Sequence, residues 1–175
     1  MNIPSSRNPK LTSSINPKLT SSINPKLTSS LNPKLTSSIN PKLTSSINPK
    51  LTSSINPKLT SSINYKLTSS KNPKLTSSLN PKLTSSLNPK LTSNIQGLYI
   101  FDLNNNLIGF TVYQSQSFWL IFDLNNQFCG VAIAARQGFV NLFDLDNNHI
   151  GFFVHARRKI FLKFDTNNNW CGFTT

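Results

Sequence analysis

The sequence predicts an all-β fold, a small closed barrel of four β-hairpins in pseudo-fourfold arrangement, preceded by a long low-complexity tract. Two internal repeats predict it. An octapeptide recurs 11 times between residues 7 and 94, and a 21-residue unit recurs four times between residues 97 and 175. The expected division is therefore a spacer over residues 1–94 and an all-β domain over residues 95–175.

The octapeptide has the pattern x-N-P-K-L-T-S-S, with departures at Tyr65 in place of Pro, at Lys71 in place of Ile or Leu, and at Asn94. Asn-Pro in each copy removes a backbone donor and disfavours the α region, so no helix can run beyond one copy. Each copy offers only two medium apolar side chains and no glycine. We therefore expect a flexible, proline-punctuated spacer.

Two ordered alternatives remain open for the tract. In a β-solenoid, the Leu and Ile positions share strand parity, three octapeptides form one coil, and Thr and Ser lie outside, where they would bind ice or a polysaccharide. Lys71 would then place a charge in the inner row, at a cost in desolvation. The other alternative is a set of short turns or one-turn helices without a core.

The charge of the chain lies almost entirely in the tract. The protein has 18 basic and 5 acidic residues, a formal net charge of +13. Residues 97–175 contain five residues of each sign, so the surplus belongs to residues 1–96. Extended octapeptides would hold neighbouring lysines about 25 Å apart, against a screening length of about 8 Å, which is too sparse for nucleic acid. Nucleic acid is therefore not an expected partner.

Each 21-residue unit predicts two short strands joined by an Asn-rich turn, because Asn tolerates the positive φ that tight hairpins require. Three positions carry the period: Phe101, Phe122, Phe143 and Phe164; Asp102, Asp123, Asp144 and Asp165; and Gly109, Gly130, Gly151 and Gly172. Four hairpins that close on themselves have no free edge. The units therefore predict an eight-stranded barrel or rosette.

A symmetric turn would place Phe101 opposite Phe110 and Leu103 opposite Ile108. The same register predicts one apolar face, made of Phe101, Leu103, Ile108, Phe110, Val112, Phe122, Leu124, Cys129, Val131, Ile133, Phe143, Leu145, Ile150, Phe152, Val154, Phe164, Cys171 and Phe173. The opposite face is also apolar and holds Leu98, Ile100, Leu107, Trp119, Ile121, Phe128, Phe139, Phe161 and Trp170. Two apolar faces indicate either sheet packing or a patch exposed to lipid or protein.

Four tandem FD-x-N-N-x-x-x-G-F hairpins over residues 97–175 resemble the four-fold β-flower domain, a small all-β fold of mostly uncharacterised bacterial proteins. The resemblance excludes the octapeptides, and it implies no catalytic residues. The outline of such a barrel is similar to that of Tubby-like and scramblase barrels, which makes lipid-headgroup binding an expectation by analogy.

The chain offers little for catalysis or for a metal. The D-x-[DN]-x-[DN] starts at Asp102 and Asp144 match a calcium loop only in part, since Gly is missing at the sixth position and no Glu exists in the chain. Asx turns are the favoured interpretation. Cys129 and Cys171 are interpreted as small core residues, and His149 and His155 as partly exposed strand residues. We therefore expect no enzymatic activity, no cofactor, no metal site and no small-molecule substrate.

The dense basic cluster is Arg157, Arg158 and Lys159, with Arg136 and Lys163 nearby. These residues lie at or near the turns between repeats and predict either a solvated rim or a site for an anion or phospholipid headgroup.

The sequence thus predicts a non-catalytic interaction module that binds an unidentified protein or associates with itself. The alternative is a peripheral membrane protein that binds anionic lipid through the basic rim. A cytoplasmic location is the default expectation, because the start MNIPSSR lacks the apolar stretch of a signal peptide and no segment is long and apolar enough to span a membrane.

Overall fold

Eight antiparallel strands pair in chain order and close into a barrel, because β8 pairs with β1. The structure is a computed structural model that describes residues 1–175. The predicted all-β class and the closed eight-stranded barrel are confirmed. The strands are β1 (Tyr99–Asp102), β2 (Leu107–Tyr113), β3 (Phe118–Phe122), β4 (Phe128–Arg136), β5 (Phe139–Phe143), β6 (His149–Arg157), β7 (Ile160–Asp165) and β8 (Trp170–Thr174).

The four turns that follow the odd-numbered strands share one conformation. Their left-handed residues are Asn105, Asn126, Asn147 and Asn168, with φ between 58° and 63°. In the first turn, the Asp102 carboxylate accepts the backbone N–H groups of Asn104 and Asn106, both at 2.8 Å. This is a short hairpin loop with an Asx turn, as the Asn-rich chemistry predicts.

Those turns are followed by β-bulges that change the predicted register. Phe110 lies opposite Tyr99, Gly109 opposite Ile100 and Leu107 opposite Phe101, so Ile108 has no partner on β1. The same irregularity leaves Cys129, Ile150 and Cys171 unpaired in the other hairpins. A bulge inserts one extra residue into one strand and breaks the strict alternation of sides.

The predicted apolar face is therefore wrong at its edge near the turns. Ile108, Leu124, Leu145 and Ile150 are exposed instead of buried. Cys129 is also exposed, while Leu103 and Cys171 are half-buried. The other members of the predicted face are buried in one cluster.

Each octapeptide folds into two hydrogen-bonded turns. In the second copy, the Asn16 carbonyl oxygen accepts the Leu19 N–H at 3.0 Å and the Asn16 side chain accepts the Lys18 N–H at 3.0 Å. Asn at the first position and Pro at the second are the residues that favour this turn. A 3-10 turn precedes each of the 11 Asn turns: Ser5–Arg7, Ser13–Ile15, Ser21–Ile23, Ser29–Leu31, Ser37–Ile39, Ser45–Ile47, Ser53–Ile55, Ser61–Ile63, Ser69–Lys71, Ser77–Leu79 and Ser85–Leu87.

Threonine hydroxyls join one octapeptide to the next. Thr20 Oγ1 donates to the Ser13 carbonyl oxygen at 2.8 Å, and the equivalent bond occurs in copy after copy, as from Thr44 to Ser37 at 2.7 Å. The tract is thus a continuous ribbon of turns. We call residues 1–96 the belt.

The belt packs on the outside of the barrel. Its Ile39, Ile47 and Ile95 lie in one buried cluster with aromatic residues of the strands, which include Phe101 and Phe143. The expectation of a flexible spacer is therefore not met, and the belt contains no strand, so it is not a β-solenoid. The belt does consist of short turns, as the alternative of turns or one-turn helices predicts. These turns have no core of their own, and they pack on the apolar residues of the barrel instead.

The two faces of the sheet have different neighbours. The face that carries Phe101, Phe110 and Phe122 points outward to the belt, and its rings stack across strands, as in Phe110 and Phe122 at 5.6 Å between centroids. The opposite face lines the barrel interior, where Leu98, Ile100, Trp119, Ala132, Val140, Leu142 and Phe153 form a second cluster. Of the two interpretations that the sequence leaves open, packing rather than an exposed patch therefore applies to the residues of these two clusters.

Three octapeptides of the belt correspond to one hairpin of the barrel. Three similar grooves separate the belt from the turns, and in successive grooves Pro25, Pro49 and Pro73 meet Asn168, Asn147 and Asn126. These prolines come from every third octapeptide, and the asparagines come from successive hairpins in reverse order. The belt therefore runs around the barrel against the order of the hairpins, with three octapeptides for each quarter.

Residues that depart from the consensus of one repeat make specific contacts with the other repeat. Tyr65 donates its hydroxyl to the Leu145 carbonyl oxygen at 2.7 Å and packs edge-on against Phe128. The Lys71 ammonium lies 5.3 Å from the centre of the Phe118 ring, which spares it the cost predicted for a charge in an apolar row. Asn141, fully buried, donates to the Ile47 carbonyl oxygen at 3.0 Å.

Arg7 closes the belt. Its guanidinium donates to the carbonyl oxygens of Ile95, Gly97 and Thr175 at 3.0, 2.6 and 2.7 Å. It also lies 4.5 Å from the centre of the Tyr99 ring. The first octapeptide is thereby joined to the last residues of the belt and to the end of β8.

We expect the native protein to resist trypsin at the belt lysines, because each lies in a hydrogen-bonded turn. If cleavage requires a local opening that costs about 3 kcal/mol, it is slowed roughly 100-fold relative to an unfolded chain. The measurement is a digestion time course with and without urea. Rapid native cleavage into a ladder of single octapeptide steps would contradict an ordered belt.

We expect Arg7→Ala to lower the free energy of unfolding by about 2–4 kcal/mol, since three carbonyl groups lose a charged donor. Arg7→Lys should recover only part of this, because an ammonium cannot reproduce the planar fork. Lys18→Ala is the control. Urea denaturation followed by circular dichroism measures all three, and equal stability of the Ala variant would show that closure contributes little.

Candidate functional site

The ends of the barrel differ in chemistry. The turns after β1, β3, β5 and β7 lie at one end, where the belt lysines reach them. Lys10, Lys34 and Lys58, which come from every third octapeptide, donate to the side-chain oxygens of Asn106, Asn169 and Asn148 at 3.2, 2.8 and 2.6 Å. We call this end the lysine face.

The other end carries the serine turns of the belt. Arg136 donates to the Ser38 carbonyl oxygen at 2.6 Å, and Arg157 donates to that of Ser14 at 2.7 Å. Arg136 is the last residue of β4, and Arg157 is the last residue of β6. We call this end the serine face.

A basic hollow opens on the serine face. Its volume is about 400 Å³, and its cations are Arg7, Arg157, Arg158 and Lys159, with no acidic residue in the lining. The remaining lining is Ser6, Thr12, Ser14, Ile15, Ile160 and Thr175. Hydroxyl donors and clustered cations are the groups that recognise phosphate.

The cations of the hollow have no acidic side chain as a partner. The one salt bridge of the molecule joins Lys66 and Asp146 on the lysine face at 3.3 Å. Burial and then the charge of Arg7 lower the pKa of Lys159 from its ordinary value. A bound anion would relieve this repulsion.

The hollow holds three residues of the predicted basic rim. Arg136 lies on the same face but at another turn, where it contacts the belt. Lys163 is not on the rim, because it belongs to β7 and lines the barrel interior. The sequence did not point to Arg7, which the closure of the belt brings from the far end of the chain.

The lysine face surrounds the open mouth of the barrel. The mouth leads to a cavity of about 280 Å³ with an apolar wall, of which Lys163 is the only charged member. The wall consists of Ile100, Ile108, Gly109, Ile121, Phe122, Cys129, Gly130, Leu142, Phe143, Ile150, Phe153 and Lys163. The unpaired bulge residues Ile108, Cys129 and Ile150 thus lie in the wall of the cavity at this mouth.

The belt also presents one exposed leucine in each copy. The exposed fraction is 67–70% for Leu11, Leu19, Leu27, Leu35, Leu43, Leu51, Leu59, Leu67, Leu75, Leu83 and Leu91. Each leucine follows a lysine at the end of an Asn-Pro-Lys-Leu turn, or of Asn-Tyr-Lys-Leu in the case of Leu67. The regular Lys-Leu dipeptide was visible in the sequence, but its outward position depends on the Ile and Asn of each copy facing the barrel.

The candidates for metal or nucleophilic chemistry have structural roles. A hydrogen bond from the Asn106 backbone N–H holds the pKa of Asp102 below its ordinary value, and that carboxylate completes the turn. Desolvation by the apolar wall raises the pKa of the Cys129 thiol to about 11, although the side chain reaches the surface. Both cysteines are free thiols. Cys129 is therefore not the buried core residue expected from its position.

The two histidines lie at opposite ends of β6. His149 is half-buried against the Phe143 ring at 5.7 Å, and burial lowers its pKa to about 4. His155 is exposed and its Nε2 lies 2.9 Å from the Arg158 carbonyl oxygen. Both match the predicted partly exposed strand residues.

No protein-family model, curated protein or solved structure matches the chain. The resemblance of residues 97–175 to the four-fold β-flower domain therefore stays a prediction. No helix of the protein has the length and apolar character that crossing a membrane requires.

We expect acid to destabilise the fold partly through His149. The folded state keeps this imidazole neutral down to about pH 4, whereas the unfolded chain protonates it near pH 6.5, so stability falls as the pH drops between those values. After a discount for solvent screening, the loss is about 1–2 kcal/mol. His149→Phe, which places the residue found at the equivalent position 128, should remove that part of the loss.

Urea denaturation at pH 7.5 and at pH 5 measures this dependence. The control is His155→Ala, which places the residue found at the equivalent position 134 on an exposed site. A His149→Phe variant with the same pH dependence as the parent protein would show that His149 is protonated in the folded state.

Proposed function

We propose that the protein is a non-catalytic module that binds a phosphate-bearing anion in the basic hollow of the serine face. The observation that carries the proposal is the convergence of Arg7, Arg157, Arg158 and Lys159 around one opening that no Asp or Glu side chain lines. A site for an anion or phospholipid headgroup at Arg157, Arg158 and Lys159 is one of the two interpretations that the sequence leaves open, beside a solvated rim.

The cations of the hollow differ in the contacts that they make within the protein. Arg7 holds the belt closed, and Arg157 uses one nitrogen on the belt carbonyl of Ser14. Arg158 and Lys159 make no side-chain hydrogen bond or ion pair within the protein, and both are exposed. Arg158 is held with φ of 47° at the tip of the turn after β6. These two residues are therefore the groups that are free to engage a ligand.

A lipid headgroup and a soluble phosphate offer the same chemistry to this hollow. A volume of about 400 Å³ accommodates a phosphate group with a substituent, and the opening lies on the serine face of the molecule. Binding to a membrane would add roughly 1 kcal/mol for each cation near an anionic surface. The two sources are separated by experiment.

The test compares vesicles of phosphatidylcholine, vesicles that also contain phosphatidylserine or a phosphorylated phosphatidylinositol, and soluble inorganic phosphate and pyrophosphate. We expect Arg158→Gln with Lys159→Gln to weaken binding roughly 30-fold, the effect of two cations at about 1 kcal/mol each. Co-sedimentation measures the vesicles, and calorimetry measures the soluble anions.

The matched control is Lys18→Gln with Lys90→Gln, which removes the same charge from the lysine face. Equal weakening by both double variants would attribute binding to the general charge of the belt and contradict the proposed site. Absence of binding to every vesicle and every anion would also overturn the proposal. Binding to soluble anions alone would identify the source as a free phosphate compound.

A further inference from the structure

We propose that the barrel interior binds the hydrocarbon chain of a medium-length aliphatic carboxylate, with the carboxylate paired to Lys163. This site lies at the opposite end of the molecule from the basic hollow and is independent of it. The inference rests on the cavity, on the position of Lys163 and on the access provided by the mouth.

The cavity has the size of a short acyl chain. Its volume is about 280 Å³ and its wall is apolar apart from Lys163. At about 30 Å³ for a group the size of a water molecule, this volume equals that of roughly nine methylene-sized groups. An open apolar cavity of this kind gains most from a flexible hydrocarbon.

The four glycines of the barrel keep this space open. Gly109 and Gly130 line the cavity, and a Cβ atom on Gly109 would lie 2.5 Å from the Phe122 carbonyl oxygen. Side chains cannot enter the interior at these positions. The interior cluster therefore fills only part of the barrel and leaves the part next to the lysine face unfilled.

Lys163 breaks the repeat inside this cavity. The equivalent positions in the three earlier repeats are Ile100, Ile121 and Leu142, and all three are in the wall. Among these four equivalent positions, only position 163 carries a charged residue instead of an aliphatic one. Lys163 is half-buried in this wall, and an ammonium at the edge of an apolar cavity is a charged donor that a carboxylate ligand would pair with.

Three other polar departures from the repeats have partners inside the protein, and the Lys163 ammonium has none. Tyr65 and Asn141 donate to backbone carbonyl groups, and Lys71 lies on an aromatic ring. The ammonium of Lys163 makes no hydrogen bond and no ion pair, while its Cδ lies beside Gly172 on β8. Its charge is thus available to a molecule that enters through the mouth.

The mouth itself is suited to an amphiphilic anion. Ile108 and Ile150 are exposed at 41% and 48%, and they flank the entrance. Belt lysines that contact the turns surround this end of the barrel. The lysines attract the carboxylate, the isoleucines contact the chain, and Lys163 pairs with the carboxylate near the entrance while the chain extends toward Phe153.

The experiment titrates the full-length protein with decanoate, decanol and butyrate at concentrations at which each is monomeric, without vesicles. Calorimetry should show saturable binding of decanoate, weaker binding of decanol, and none of butyrate, which is too short to fill the cavity. Methyl NMR spectra should show the shifts at Ile100, Ile108, Ile121 and Ile150 rather than at Ile47 in the belt.

Lys163→Ile is the decisive variant, because it places the residue that two equivalent positions already carry and should fold. We expect it to weaken decanoate binding at least tenfold and to change decanol binding less than twofold. Lys18→Ile, in the belt, should leave both unchanged, and Arg158→Gln with Lys159→Gln should retain decanoate binding whether or not the hollow binds phosphate. Undiminished decanoate binding by Lys163→Ile, or no saturable binding by the parent protein, would overturn the inference.

Discussion

The burial of the outer aromatic face of the barrel by the belt is the interaction on which the rest of the structure depends. Each fully buried Phe or Leu side chain contributes roughly 1.5–3 kcal/mol, and Phe101, Phe110 and Phe122 are all buried there. A barrel without the belt would expose an apolar surface far larger than a soluble monomer carries. Apart from its exposed leucines, the belt has one Ile or Leu in nine of its 11 octapeptides, and it has no core of its own. The belt and the barrel therefore share one hydrophobic cluster.

Much of the barrel was predictable, because the signals for it are local. The spacing of Phe, Asp and Gly indicates four hairpins, and the Asn-rich segments form the turns that their tolerance of positive φ allows. The register was not predictable from alternation. The left-handed Asn105 and the following bulge insert a residue, which moves Ile108 from the predicted apolar face to the mouth of the cavity. A pattern that assumes strict alternation has no means of detecting that insertion.

The belt was missed for a different reason. Its eight-residue unit carries too few apolar side chains to form a core, so any account of the tract alone favours a flexible chain. The indication of an ordered belt lies in residues 97–175, where both faces of the strands are apolar. The interior of the barrel can bury only one of these faces, so the other face must pack against another segment. The full set of cations in the basic hollow could not be predicted from the sequence either. Arg157, Arg158 and Lys159 are adjacent in the sequence, whereas Arg7 joins them only because the belt returns to its starting point.

The match of three octapeptides to one hairpin gives the octapeptide array a fixed length. A tandem array of nearly identical coding units gains and loses copies readily, and in a flexible linker such changes cost little. In this protein, one copy added or lost before Tyr65 would move the later octapeptides by a third of a quarter-turn relative to the hairpins, and Tyr65 would lose its contact with Phe128, which lies at 4.9 Å. Packing against the barrel therefore constrains the number of copies, which a flexible linker would not do.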